Sequence, residues 1–285
     1  MQTKIIDGKK LRNELLEKIK KEVALLSFQP VFCDVLVGDN GASVKYVEMK
    51  GRMAEAVGIS FHQANFSFSI TTTELIEEIK KLNKITNMCG IIVQLPLPSH
   101  IDKQAVLDSI DPRLDVDCLG GVQGEKFYNS KGGKYELGPP TALACVELLD
   151  SINLELKDKN IVVLGQGTLV GLPVTALLHF RGLFPIVVRS TTENKEEIIK
   201  RADIIISGMG QGKYIKGDMI KKGAVLIDAG TSESEGGLVG DVDFESVKDV
   251  AGFVTPVPGG VGPVTVAMLL NNVLKVAKTF PLLPV

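Results

Sequence analysis

The chain has 285 residues, 45% hydrophobic and 23% charged, with a formal net charge of −2. That length suits two globular domains, and the absence of any basic run excludes a nucleic-acid partner. No apolar run reaches membrane-spanning length and no signal peptide precedes the first charged helix, so the expectation is a cytoplasmic protein without a membrane partner.

Cys33, Cys89, Cys118 and Cys145 are scattered, with no C-x-x-C pair. They read as reduced core residues, and no metal ligand set is assigned. Taken in order, Lys9 to Leu26 has helical periodicity, with Leu11, Leu15, Ile19 and Val23 on one face. Val31 to Val37 (VFCDVLV) reads as a strand that turns through GDNGAS into a helix over Gly41 to Gly58. Ser43 is the expected N-cap of that helix, and Gly58 its left-handed C-terminal residue. Tyr46 and Lys50 are four residues apart and share a face, which Met53 and Val57 continue. Two readings fit: a lysine lying along a packed tyrosine, or a desolvated amine serving as acid or base.

Ile59 to Phe66 is a second strand, Thr73 to Leu82 a helix with Leu75, Ile76, Ile79 and Leu82 inward, and Gly90 to Val93 a buried strand. The β-α-β-α-β rhythm predicts a doubly wound α/β domain with ligands at the carboxyl ends of its strands. Gln94 lies at such an end, before Leu95-Pro96-Leu97-Pro98; it either satisfies local backbone or holds a reactive side chain. Asp102 to Ile110 is a helix. In the following loop Asp115 and Asp117 alternate with Val116, and Asp117 is either a turn former or a ligand-facing carboxylate. Gln123 to Leu137 reads as an irregular, exposed crossing between domains, and Thr141 to Leu149 as the start of a new helix.

At Asn160 to Gly171 (NIVVLGQGTLVG) a buried strand runs into Gly165, Gly167 and Gly171 and a helix follows to Phe180. Glycines there admit a pyrophosphate to a helix N-terminus, the signature of a Rossmann unit. The next strand, Pro185 to Val188, ends in Arg189-Ser190-Thr191-Thr192, where NAD enzymes place a ribose-binding acid roughly 20 residues on. A cation and hydroxyls suit a ribose phosphate better, which favours NADP, with NAD the alternative. Lys195 to Ala202 is a helix, Asp203 to Gly210 and Ala224 to Ser232 are strand-and-loop units, and Leu238 to Asp243 is a turn. Thr255 to Pro263 (TPVPGGVGP) reads as a rigid loop at a ligand, ahead of a helix over Val264 to Lys278.

These residues resemble one family, the bifunctional methylenetetrahydrofolate dehydrogenase/cyclohydrolases. The matches run in order along nearly the whole chain: Tyr46-Val47-x-x-Lys50 after Gly41-Ala42-Ser43, Gly90 to Pro98, Asp115-Val116-Asp117, Val170-Gly171-x-Pro173, Gly240-Asp241-Val242, and Thr255 to Thr265. The resemblance implies a folate-binding catalytic domain over 1–140 and 266–285, a Rossmann NAD(P)-binding domain over 141–265, a folate in the cleft and a homodimer. It implies that Lys50 is the catalytic lysine, tuned by Gln94, that Tyr46 stacks on the folate and that Asp117 holds the pterin. Val93, Leu95, Pro96, Pro258, Gly259 and Gly260 complete the substrate site. By the same resemblance, Gly165, Gln166, Gly167, Val170, Gly171, Arg189, Ser190, Gly208, Thr231, Gly260 and Thr265 are expected to hold the cofactor.

The implied reaction is NADP-dependent oxidation of methylenetetrahydrofolate followed by hydrolysis to the 10-formyl derivative. Alternatives are a monofunctional dehydrogenase and a non-catalytic folate- or dinucleotide-binding module. A short-chain dehydrogenase is rejected, because there Tyr-x-x-x-Lys follows the glycine loop and here it precedes it. The chain departs from the family pattern in having Gly165-Gln166-Gly167 for Gly-Arg-Ser, Pro139-Pro140-Thr141-Ala142 for Pro-Cys-Thr-Pro, and Arg189-Ser190 for His-Ser.

Overall fold

The computed structural model describes residues 2–234 and 237–279. In its first half the elements are β1 (Lys4–Ile5), α1 (Gly8–Val23), β2 (Val31–Val37), α2 (Gly41–Ala56), β3 (Ser60–Phe66), α3 (Thr72–Leu82), β4 (Met88–Val93), α4 (Lys103–Asp108) and α5 (Gly121–Tyr128). Then come α6 (Pro140–Ser151), β5 (Ile161–Leu164), α7 (Gly171–Phe180), β6 (Ile186–Val188), α8 (Lys195–Arg201), β7 (Ile204–Ser207) and β8 (Val225–Asp228). Last are β9 (Ser232–Ser234), β10 (Gly237–Val239), α9 (Phe244–Val247), β11 (Phe253–Val254) and α10 (Val261–Thr279). No helix among the described residues is long and apolar enough to cross a membrane.

Backbone proximity divides the chain into two units. One spans residues 14–130, 134–140 and 269 onward, and is built on a parallel sheet ordered β3-β2-β4. β2 is central, with Val35 opposite Ala64 on one side and Val93 on the other. A parallel strand covered on both faces is expected to be apolar throughout, and β2 is, except for Asp34. The α3 helix starts on a capping box in which Thr71 and Glu74 satisfy each other's backbone, and it buries Leu75, Ile79 and Leu82.

Two features of this unit differ from the sequence expectation. The N-cap of α2 is Asn40, not Ser43: its side-chain oxygen accepts from the amides of Ala42 at 3.1 Å and Ser43 at 3.2 Å. Asn and Ser are equally good caps, and the tight turn after β2 decides between them. Gly58 does take a left-handed conformation, φ +90°. The segment expected to be an exposed crossing contains α5, with Gln123 and Phe127 buried. Its first amides are held by carboxylates, Gly120 N to Asp115 at 2.8 Å and Gly121 N to Asp108 at 2.7 Å, so tertiary capping overrides the poor helix propensity of its glycines.

The other unit holds the N-terminal residues up to Asn13 together with residues 131–133 and 141–268. Its six strands are all parallel, in the order β1-β11-β8-β7-β5-β6. Because β6 and β7 flank β5 on opposite sides, the chain reverses its winding there, and the carboxyl end of β5 is the switch point where a crevice opens. The two-residue strands β1 and β11 are too short to leave a period in the sequence. Residues 238–239, expected as a turn, form β10 and pair antiparallel with β9; the connecting residues 235–236 lie outside those described. Helix α10 begins at Val261, three residues earlier than expected, because Pro263 falls in the first turn, where its missing N–H would have had no partner. The end of the C-terminal segment, residues 280–285, is outside the described residues.

Candidate active site

Helix α2 carries Tyr46 and Lys50, and the end of β4 carries Gln94. Lys50 is 2% exposed, and its ammonium meets three groups. Gln94 Oε1 accepts from it at 2.8 Å, Asp34 Oδ2 lies 2.6 Å away, and the Tyr46 ring centroid is at 4.8 Å. Gln94 is fixed in turn: its backbone amide donates to Val35 at 2.8 Å and its side-chain nitrogen to the carbonyl of Leu95, also at 2.8 Å. Leu95-Pro96 is a cis peptide, and Val93 is buried at the strand end.

Asp34 is a partner of the amine that the sequence reading did not name. It is 0% exposed, its Oδ1 has no hydrogen-bond partner, and it forms a buried ion pair with Lys50. Burial raises the proton affinity of the Asp34 carboxyl, while the charge and hydrogen bond of Lys50 pull it down. The signal was in the sequence: an acid in the middle of an otherwise apolar strand is expensive unless paired.

Asp117 lies in the same electrostatic cluster. Its carboxyl is pushed up to about 7, first by burial, then by the charge of Asp115, against the pull of Lys50. Burial, with the charges of Asp117 and Asp34, also raises the Tyr46 hydroxyl. The two aspartates divide their work as the alternation required. Asp115 turns inward to accept from the amides of Leu119 and Gly120, while Asp117 is left half-buried with no hydrogen bond to that turn. The loop is held from both sides. Ile91 N donates to Leu114 O at 2.8 Å, and the buried Asn272 of α10 donates to the carbonyls of Val116 at 2.9 Å and Gly138 at 2.8 Å. Asn272 was missed, since nothing local marks an asparagine 156 positions from its acceptor.

In the other unit a cavity of about 420 Å³ opens at the carboxyl end of β5. Its lining brings together Gly165, Gln166, Gly167, Arg189, Ser190 and Gly208 from the predicted cofactor set. Gly165 sits at φ +88°, and a Cβ on Gly171 would strike the Gly165 carbonyl, so only glycines allow this loop to fold under the start of α7. Gly167 has open space where a side chain would be. Loop, cavity and helix start thus form the cradle that a dinucleotide pyrophosphate requires.

The other predicted cofactor residues do not line this cavity. Val170 is the N-cap of α7, Thr231 follows β8, and Thr265 donates to Val261 O within the first turn of α10 at 3.2 Å. Pro258 follows a second cis peptide, Gly259 takes φ +115°, and Gly260 packs against Thr255.

Sequence reading passed over Asp228 and quoted Asp241 only within Gly240-Asp241-Val242, without a role; both shape the loops around the sheet end. Asp241 is fully buried and accepts from Ser207 Oγ at 2.6 Å and from the amides of Met209 and Gln211 at 2.7 Å each. Asp228 accepts from the amides of Gly230, Asp241 and Val242, and burial pushes its carboxyl up to about 7 despite them.

Comparison with known proteins agrees with this geometry. A family model described as the tetrahydrofolate dehydrogenase/cyclohydrolase catalytic domain matches residues 6–117, and one described as its NAD(P)-binding domain matches residues 139–280. The chain is 42% identical over 279 residues to the bifunctional protein FolD of Halothermothrix orenii, covering 96% of this chain and 98% of that one. It is also 42% identical over 287 residues to that of Bacillus subtilis, covering 98% and 99%. Among solved structures, the FolD dehydrogenase/cyclohydrolase of Campylobacter jejuni superposes with a TM-score of 0.91 at 36% identity, covering 97% of this chain and 99% of that one. The enzyme of Trypanosoma brucei, solved with NADP and an inhibitor, gives 0.92 at 37%, covering 98% of each. With both domains matched and nearly the full length shared, this chain belongs to the tetrahydrofolate dehydrogenase/cyclohydrolase family.

Proposed function

We propose that the chain oxidises methylenetetrahydrofolate with NADP and hydrolyses the methenyl product to 10-formyltetrahydrofolate, with Lys50 as the proton-handling group. The observation that carries this reading is the buried Lys50 amine between Asp34 and Gln94, in the electrostatic cluster of Asp117. The bound nicotinamide supplies a two-electron hydride acceptor. The cradle of Gly165, Gly167 and Gly171 and the cations beside it suit such a dinucleotide, and family membership favours this reading over a binding module.

Loss of hydride from the methylene carbon leaves a cation spread over N–C–N, a step that needs alignment more than a base. Tyr46 supplies a stacking face and Asp117 accepts hydrogen bonds from the pterin, with Val93, Leu95 and Pro96 shaping the site. In the second step the oxygen of water bonds to the methenyl carbon and one water proton leaves. The remaining hydroxyl proton moves to N5 as the C–N5 bond breaks, giving the formyl group. Lys50 Nζ handles both transfers, with Asp34 as the buried acceptor that exchanges a proton with it and Gln94 as a neutral anchor adding no charge. We assign residues 1–140 and 266–285 to the catalytic domain and 141–265 to the dinucleotide domain, which borrows strand β1. The protein acts as a cytoplasmic homodimer.

Lys50→Ala tests this. Hydrolysis of methenyltetrahydrofolate should fall by about 100-fold or more. Thermal unfolding should stay cooperative, because Asp34 can take up a proton once the amine is gone. Undiminished hydrolysis in this variant would overturn the assignment.

A further inference from the structure

The cavity at the end of β5 has an unusual charge makeup. Its thirteen lining residues include no aspartate or glutamate, and its only charged members are Arg189 and Lys195. A dinucleotide site built for a free ribose 2′-hydroxyl needs an acid near the end of the second strand, and here that place is cationic. Neither Arg189 nor Lys195 forms an ion pair with a carboxylate among the described residues. The loop itself offers no cation. Gln166 stands at its centre, with its side-chain nitrogen spent on Gly165 O at 2.8 Å and Thr175 Oγ1 at 3.2 Å.

Lys195 is held differently from Arg189. Its ammonium lies over the Tyr214 ring, 5.8 Å from the centroid, and Tyr214 packs against the buried cluster of the six-stranded sheet. A lysine resting on a core-anchored ring keeps its charge at one place while leaving N–H groups free, and loses less side-chain freedom when an anion arrives. Two residues on, Glu197 pairs with Arg201 at 3.9 Å.

We propose that Lys195, seated on Tyr214, is the residue that makes this chain select the 2′-phosphorylated dinucleotide, sharing the phosphate with Arg189 and Ser190. The proposal deepens the dinucleotide reading above and rests on it. Lys195 at the start of α8 and Tyr214 after β7 thus replace a loop-borne arginine as the phosphate anchor.

Equilibrium titrations of the full chain with NADPH, NADH and 2′,5′-ADP test it. The unsubstituted protein should bind NADPH more tightly than NADH. Lys195→Gln should weaken NADPH and 2′,5′-ADP by about 10-fold or more, the loss of one charge-assisted hydrogen bond, and leave NADH unchanged. Lys195→Arg should keep the preference, and Tyr214→Leu should erode it in the same direction by less. Equal losses for NADPH and NADH in Lys195→Gln, or no loss for either, overturn the proposal. Equal affinity of the unsubstituted chain for both overturns it too, while leaving the dinucleotide reading intact. Failure to bind either one overturns that reading along with it.

Discussion

The two sites solve opposite problems. Around Lys50 the polar groups are crowded and tied to one another: Asp34 and Gln94 on the amine, Leu95 and Val35 on Gln94. Around Gly165 the chain withdraws, presenting bare backbone and an open volume edged by exposed Arg189. The contrast fits the role proposed for each. Proton transfer needs a fixed donor with a tuned environment, whereas a large anionic cofactor brings its own charges and needs room and free N–H groups. Crowding makes the first site brittle, and openness makes the second one graded.

The largest expected break is therefore at Asp34. Asp34→Ala leaves Lys50 buried without its counter-charge, and removing one partner of a buried pair costs about 3–5 kcal/mol. Urea unfolding would show this as a lower midpoint. Asp34→Leu with Lys50→Met should recover much of the loss while leaving hydrolysis dead, separating the pair's role in chemistry from its role in stability. An Asp34→Ala protein as stable as the parent would mean that the pair is not buried as described.

In the open cavity the same kind of change should only shift affinity. Arg189→Ala should raise the KM for NADP by about 10-fold, in line with one charge-assisted hydrogen bond, with little effect on that for NAD. Steady-state assays with both cofactors would settle it, and equal effects would remove Arg189 from the phosphate site. The smallest effect should come from pH. In the proposed role Asp117 accepts from the pterin's ring N–H and amino group and so must be ionised, and burial pushes its carboxyl up to about 7. The KM for the folate should fall as pH rises through that value, and Asp117→Asn should flatten the profile. A parent profile flat across that range would count against the pterin role.

What the sequence disclosed follows the range of the interaction. The i, i+4 spacing of Tyr46 and Lys50 and the glycines of the β5 loop are local constraints, so a helical period or a required close approach exposed them. Helix α5 was hidden because carboxylates from other segments cap it, and its glycines argue against it locally. Strands β1 and β11 gain their geometry from neighbours far along the chain and carry no period of their own. Asp34 lay in plain view in an apolar strand, and only the absence of a visible partner kept it from being read as half of a pair. Lys195 needed Tyr214 beneath it before it looked like anything but a surface lysine.

The double hydrogen bond from Asn272 to Val116 and Gly138 has a further consequence for how the enzyme comes into being on the ribosome. Vectorial synthesis delivers the aspartate loop early, but the amide that clamps it emerges only after more than a hundred further residues. Until residue 272 has left the exit tunnel, a nascent chain can assemble the β3-β2-β4 sheet yet lack the clamp on the turn that presents Asp117. Folate-binding competence should thus appear late in translation, well after the sheet beneath it has formed.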